Sequence, residues 1–514
     1  MQAESRRLHR WSWPFIAAGT IRALVFPAAG AVVASGGVLL SYLHFLSLIF
    51  IVPALVYAFV RQKVYNYRFT ESELVVRDGL LTKNVRRISY ERIHNVALVQ
   101  NPIHRLLGVA TARIETAAGG KPEAVLRVLS LEAVDELKRH TLGDERDAAP
   151  SDAPLLQVPD RELVRLGLIS NRGFLVIAAV LGATSQVQWW NQEWIQEQDW
   201  PRVFENARAR APGWLDWIFE MGTLTRGMLL GIALILVFLV LLRLFSVAWY
   251  LVRYRGFTLR QTDDEIRTEY GLLTRVSLLI PVHRIQLVTV SATLLGRCFG
   301  RTSIDLETAG ASTADSDLGG QLAASGVRST RQWLAPIIES ERATELVRDV
   351  VPDFDIEAVE WLPIEARAVR RIVNRAALVV TPFTIIAAAL FRFSPIPWSG
   401  WHALWLPLFV VAIAWWIARH WVRRTGYALT DRVIYFRSGW LSRQISAVRF
   451  VNMQTVAMHQ SPFDRRKRMA TLAVDTAGAS SLGHRITIPF LDVDVAKSIL
   501  ERLYVETRST EFRW

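Results

Sequence analysis

The chain has 514 residues, 51% hydrophobic and 21% charged, with a mean hydropathy of +0.22. That apolar content excludes disorder over most of its length, and one cysteine, Cys298, excludes an internal disulfide and any multi-cysteine metal centre. Sixty Lys and Arg against 47 Asp and Glu leave a net charge of +13, which suits either a nucleic-acid surface or the flanks of membrane helices, so placement decides.

Six apolar stretches come in pairs: Phe15–Gly37 with Leu40–Val60, Phe174–Val187 with Met228–Tyr250, and Ala376–Phe391 with Ala403–Ala418. Their lengths approach the ~20 apolar residues needed to span a bilayer. Phe174–Val187 is the shortest and stops at Gln186. Arginines flank every pair on one side: Arg6, Arg7 and Arg10, then Arg161 and Arg165, then Arg367, Arg370 and Arg371, with Arg61, Arg253 and Arg423 on the return. The connection 188–225 inverts this, with six acids against three arginines. The positive-inside rule then predicts six transmembrane helices in three pairs, with both termini cytoplasmic. The charge excess belongs to topology, and no nucleic-acid partner is expected. Trp189, Trp190 and Trp194 make the external loop an interfacial anchor.

Between the pairs, three segments align without a gap over 49 positions: Thr70–Ala118, Thr262–Gly310 and Thr430–Gly478. Gly79, Gly271 and Gly439 recur nine residues in, followed by Lys83, Arg275 and Arg443. Arg105, Arg297 and Arg465 also fall in register, as do Glu115-Thr116, Glu307-Thr308 and Asp475-Thr476. Each copy alternates apolar and polar residues in short runs broken at a glycine turn, which reads as antiparallel strands. Each ends in an amphipathic helix, about Leu131–His140, Glu339–Val350 and Asp492–Tyr504. The middle copy carries a Ser/Ala/Gly-rich insert, Ala311–Thr330. The expected organisation is membrane helical hairpins plus α+β modules. It divides into helices in 1–61, module one in 62–150, helices in 160–252, module two in 253–355, helices in 365–420 and module three in 421–514.

The order of two apolar helices followed by Y-x-x-T…G-L-[LW]-[TS]…R-I-x-x-V…T-A resembles the bacterial pleckstrin-homology-like membrane proteins of the YdbS/YdbT type, and three copies resemble the longer YdbT-like members. That resemblance covers nearly the whole chain. It implies a seven-stranded bent sheet or partial barrel with a C-terminal capping helix for each module. It also suggests the bacterial plasma membrane as the location and, as a protein partner, a shorter two-helix relative with one module. A fold alone does not fix an activity.

No nucleotide-binding, metalloprotease, serine-hydrolase or kinase motif is present. The histidines share no metal-ligand spacing, and neither a cofactor nor a catalytic residue is expected. His94 aligns with Gln286 and Gln454, a repeated polar position. The repeated acid of Glu115, Glu307 and Asp475 pairs, by recurrence, with the repeated arginine at 105, 297 and 465. Lys83, Arg275 and Arg443 follow the turn near which some pleckstrin-homology domains bind inositide headgroups. Lys83, Arg86 and Arg87 in module one, and Arg465, Arg466, Lys467 and Arg468 in module three, form the densest basic runs. These are the candidates for contact with anionic lipids of the inner leaflet, where each cation contributes ~1 kcal/mol of generic attraction. The expected function is that of a non-enzymatic scaffold or adaptor in envelope maintenance or stress and antimicrobial defence. Anionic-lipid binding or handling is the alternative.

Overall fold

In the computed structural model the described residues are 6–21, 43–79, 82–90, 93–116, 124–142, 154–170, 209, 223–262, 265–308, 331–392, 402–476 and 486–509. Alternation of apolar and polar residues gives seven strands in each module. Module one contributes β1 (Arg6–Arg7), β2 (Asn66–Phe69), β3 (Glu73–Asp78) and β4 (Asn84–Ser89), then β5 (Ile93–Gln100), β6 (Val109–Thr116) and β7 (Ala124–Ser130). Module two has β8 (Leu156–Gln157), β9 (Thr258–Thr262), β10 (Glu265–Tyr270) and β11 (Arg275–Pro281), then β12 (Ile285–Ala292), β13 (Arg301–Thr308) and β14 (Arg331–Glu339). Module three has β15 (Leu362–Pro363), β16 (Gly426–Leu429), β17 (Val433–Ser438) and β18 (Arg443–Arg449), then β19 (Met453–His459), β20 (Met469–Thr476) and β21 (Ile486–Asp492). Helices Leu131–Leu142, Ser340–Val350 and Val493–Ser509 follow the last strand of each.

The first strand of every module precedes its apolar helices. β1, β8 and β15 pair antiparallel with β2, β9 and β16 at equivalent positions, Arg7 opposite Asn66, Gln157 opposite Thr258 and Pro363 opposite Gly426. The helices therefore leave the sheet after one short strand and re-enter at the next.

The two halves of one module do not share a sheet. β5 pairs with β11 of the next module, Leu98 opposite Ser277 and Ala97 opposite Leu278. β12 likewise pairs with β18, Val290 opposite Ile445 and Thr289 opposite Ser446. Two seven-stranded antiparallel sheets result, ordered β7-β6-β5-β11-β10-β9-β8 and β14-β13-β12-β18-β17-β16-β15. The four strands β1 to β4 and the three strands β19 to β21 remain at the two ends. This corrects the expectation of a self-contained seven-stranded sheet for each module: seven strands are present, but three come from one module and four from the next. The cores follow. Ala97 of module one and Val433, Tyr435 and Ala447 of module three pack into the module-two core, and Leu287 of module two packs into that of module three.

The expectation of six transmembrane helices in three pairs is also corrected. Among the described residues one helix, Gly231–Tyr254, is long and apolar enough to cross a membrane. It is part of the 32-residue helix Thr223–Tyr254 and exposes its apolar surface, with Leu234 71% and Val240 57% accessible. Charged ends and prolines mark its neighbours. Helix Ala368–Arg392 carries Arg370, Arg371 and Arg375 in its first turns and Pro382 inside, while helix His402–Arg424 ends in Arg419, His420, Arg423 and Arg424. Helix Leu43–Val64 contains Pro53 and closes with Arg61 and Lys63. The Phe174–Val187 stretch, most of the Trp-rich connection and the Ala311–Thr330 insert lie outside the described residues.

The amphipathic helix Asp160–Ile169 braces the spanning helix. A Cβ on Gly167 would meet Val247 Cα at 2.5 Å, so glycine permits the close crossing. Arg243 donates to the carbonyls of Leu168 and Ser170 at 3.1 and 2.8 Å, capping the helix end. On the other side, Glu162 accepts two bonds from Arg301 at 2.8 and 3.1 Å, both side chains 15% exposed. Hydrogen bonding from Arg301 holds the Glu162 carboxyl below its ordinary value of 4.5. Because the native value is the depressed one, the stabilisation is complete above ~pH 4.5 and fades as pH falls through the native value. Thermal unfolding between about pH 6 and pH 3 should therefore show wild type losing the advantage, ~2 kcal/mol, that it holds over Glu162→Gln at neutral pH. A difference independent of pH would refute this.

Candidate functional site at the module junctions

The repeated glycines close the hairpins β3–β4, β10–β11 and β17–β18. Gly79, Gly271 and Gly439 have φ of +117°, +113° and +93°, and a Cβ on any of them would lie 2.0 Å or less from the carbonyl oxygen of Thr82, Thr274 or Ser442. Only glycine fits such a turn. The turn exposes carbonyls, and the preceding module reaches for them. Arg105 donates to Leu272 O at 3.0 Å and Leu273 O at 3.4 Å, and Arg297 donates to Trp440 O at 2.7 Å and Leu441 O at 3.4 Å. The repeated arginine thus binds across the junction, not to the repeated acid as expected. Thr274 adds a bond to Asn101 at 3.0 Å, Thr289 and Ser446 hydroxyls meet at 3.3 Å, and Asn452 donates to Ile285 O at 2.8 Å.

The repeated acid-threonine pair has a different place. In all three modules the facing strand shifts register opposite it, between Ile93 and Asn95, Ile285 and Leu287, and Met453 and Thr455. The skipped residues are His94, Gln286 and Gln454, so the repeated polar position is a β-bulge. Glu115, Glu307 and Asp475 stand opposite Asn95, Leu287 and Thr455, and Thr116, Thr308 and Thr476 opposite Ile93, Ile285 and Met453. Thr70 and Thr430 close the β2–β3 and β16–β17 turns through bonds to Glu73 O and Val433 O, and Thr262 lies opposite Glu265.

The basic candidates separate sharply. Lys83, Arg86 and Arg87 are exposed at and beside β4, with Glu73 3.9 Å from Arg87. Arg465 and Arg466 are exposed on the short helix Pro462–Arg466. Lys467 lends its carbonyl to Arg367 at 3.2 Å, and Arg468 pairs with Asp494 at 2.8 Å. Arg275 is neutralised: Glu269 takes Arg267 and Arg275 at 2.5 and 2.8 Å. Although burial pushes the Glu269 carboxyl up, these two arginines hold it below its ordinary range.

Arg443 has no such relief. The position of Glu269 is occupied in module three by Arg437, and that of Gly256 by Arg424. Arg297, Arg424, Arg437 and Arg443 therefore converge at the second junction. Arg297 and Arg424 both donate to Trp440 O, at 2.7 and 3.3 Å. Arg437 lies over the Trp361 ring at 4.6 Å, and its buried Nε has no hydrogen-bond partner among the described residues. Burial, then Arg297, Arg424 and Arg437, press the Arg443 pKa down. Among the described residues no carboxylate pairs with any of the four. Beside them Trp440 packs edge-on against Trp416 at 4.9 Å, where helix His402–Arg424 meets the sheet. The arrangement is a cationic cluster flanked by aromatics, with the charge to attract an anion. Repetition alone flagged Arg443, but the cluster needs Arg424 and Arg437, whose only signal is that they break the repeat.

The bacterial PH domain family model matches three times, at residues 22–144, 215–348 and 368–507. The chain is similar to the UPF0699 transmembrane protein YdbT of Bacillus subtilis (strain 168), 21% identical over 444 residues and covering 82% of each chain. No solved structure matches it. Three matched modules, the exposed apolar helix and the similarity to a transmembrane protein converge, and the chain belongs to the bacterial PH domain family as a YdbT-like, three-module membrane protein.

Proposed function

We propose that the protein is a non-enzymatic scaffold that presents a rigid row of three PH-like modules on the cytoplasmic face of the plasma membrane, in envelope maintenance or stress defence. One observation carries this reading: consecutive modules share continuous sheets, closed by an arginine across each junction, so they form one surface with fixed spacing. Main-chain pairing supplies rigidity that a linker would not. The test is purification of the native protein in mild detergent, with mass spectrometry of co-purifying proteins and lipids. A stoichiometric protein partner supports the scaffold, and retention of lipid with no partner overturns it.

A second reading, anionic-lipid binding, is favoured by the four arginines at the end of helix His402–Arg424. Four cations without a counter-charge repel one another, and an anionic headgroup seated among them would relieve that repulsion.

A further inference from the structure

The row of modules has two unlike ends. At one, β4 is the outer strand of the β1–β4 sheet. At the other, β19 is the outer strand of the β19–β21 sheet. Both are edges of the kind that the two internal junctions consume. The counterparts of β4 are β11 and β18, and those of β19 are β5 and β12. Gln454, Thr455, Val456, Ala457, Met458 and His459 give β19 no Lys, Arg, Asp, Glu or Pro. An uncharged, proline-free strand with no strand paired to its outer side among the described residues is a template for another strand.

The capping arginine is also in place. Arg105 and Arg297 each reach the glycine turn of the next module, whereas Arg465, the third copy, is exposed and its side chain bonds to none of the described residues. β4 is built the opposite way. Arg86 stands where β11 has Leu278 and β18 has Ser446, and Arg87 where they have Leu279 and Ala447. Leu278 and Ser446 are 3% and 1% exposed in their junctions. A second copy docking through its own β4 would strip water from the exposed Arg86 guanidinium opposite Ala457, a desolvation cost that Leu278 and Ser446 do not carry.

We propose that β19 is a docking strand for the first-half sheet of another bacterial PH module, one whose fourth strand is uncharged, while Arg86 and Arg87 guard β4 so that the row extends at the module-three end only. The glycine turn of the incoming module brings its carbonyls to Arg465. This deepens the scaffold reading and rests on it for its purpose, but the strand pairing is measured directly, so absence of a co-purifying protein and absence of pairing are separate results.

The internal registers fix the geometry. Ser277 faces Leu98 and Ile445 faces Val290, so position 85 of an acceptable fourth strand faces Met458. In a Cys298→Ser background, full-length chains carrying Met458→Cys are mixed in nanodiscs with chains carrying Val85→Cys, with or without Arg86→Ser and Arg87→Ala, which copy β18. The neutralised strand should form the 85–458 disulfide at least about tenfold more than wild-type β4, and Arg465→Ala should reduce it severalfold while Arg466→Ala does not. Equal cross-linking by wild-type β4 would make a second copy the occupant and overturn the guard. No cross-link from the neutralised strand, with unfolding temperature unchanged, would overturn the docking strand itself.

Discussion

Replacing Gly439 with alanine is expected to cost ~3 kcal/mol or more and to open the second junction. Its φ of +93° belongs to the region that side chains avoid, and the new Cβ would sit 1.8 Å from Ser442 O. The backbone must move, and what moves is the turn whose Trp440 and Leu441 carbonyls hold Arg297. Loss of that charged hydrogen bond adds to the strain. Gly300 is the control: φ is +62°, but nothing lies within 4 Å of its Cβ, so Gly300→Ala should cost only ~1 kcal/mol. The unfolding temperature of Gly439→Ala should fall by about 10 °C. A disulfide engineered between positions 289 and 446, which face each other across the junction, should form poorly in the variant. Equal effects at the two glycines would show that the turn is not what locks the modules.

Within a module the strands were legible because each places apolar residues at every second position between turn residues, as in Val276, Leu278 and Ile280 of β11, all buried. What that alternation conceals is the neighbour. Pairing is made by backbone groups that every residue carries, so β11 reads the same whether it meets β12 of its own module or β5 of the one before. The one side-chain trace of the junction was the arginine recurring 26 residues after each glycine. It was assigned to the acid in its own copy, because recurrence reveals that two positions matter and not which copy each serves. The apolar stretches misled differently. Ala376–Phe391 is shorter than the ~20 apolar residues that span a bilayer, and the helix that holds it starts at Ala368 with three arginines in its first turns. The arginine cluster was invisible to a search for repeated residues, since Arg437 and Arg424 are departures from the repeat.

Those departures yield the most direct experiment on ligand chemistry. Arg437→Glu restores to module three the acid that module two has at Glu269, which there takes Arg267 and Arg275. Placed beside Arg443, Arg297 and Arg424, the new carboxylate removes one cation and supplies a counter-charge, so the variant should unfold at higher temperature than wild type in neutral detergent. It should also lose affinity for an anionic headgroup by ~2 kcal/mol, about 30-fold, from a two-unit change in local charge at ~1 kcal/mol each. A thermal-shift titration reads both effects, because a ligand that binds the folded state raises its unfolding temperature with concentration. Phosphatidylglycerol should stabilise wild type and leave Arg437→Glu nearly unmoved, whereas phosphatidylcholine should separate neither. Inorganic phosphate distinguishes the source: stabilisation by phosphate as strong as that by phosphatidylglycerol would point to a soluble anion, and stabilisation by the lipid alone to a headgroup held where Trp416 and Trp440 meet the bilayer. If phosphatidylglycerol stabilises the variant as well as wild type, the four arginines are not a binding site, and their mutual repulsion is a cost that the packing of the second junction bears.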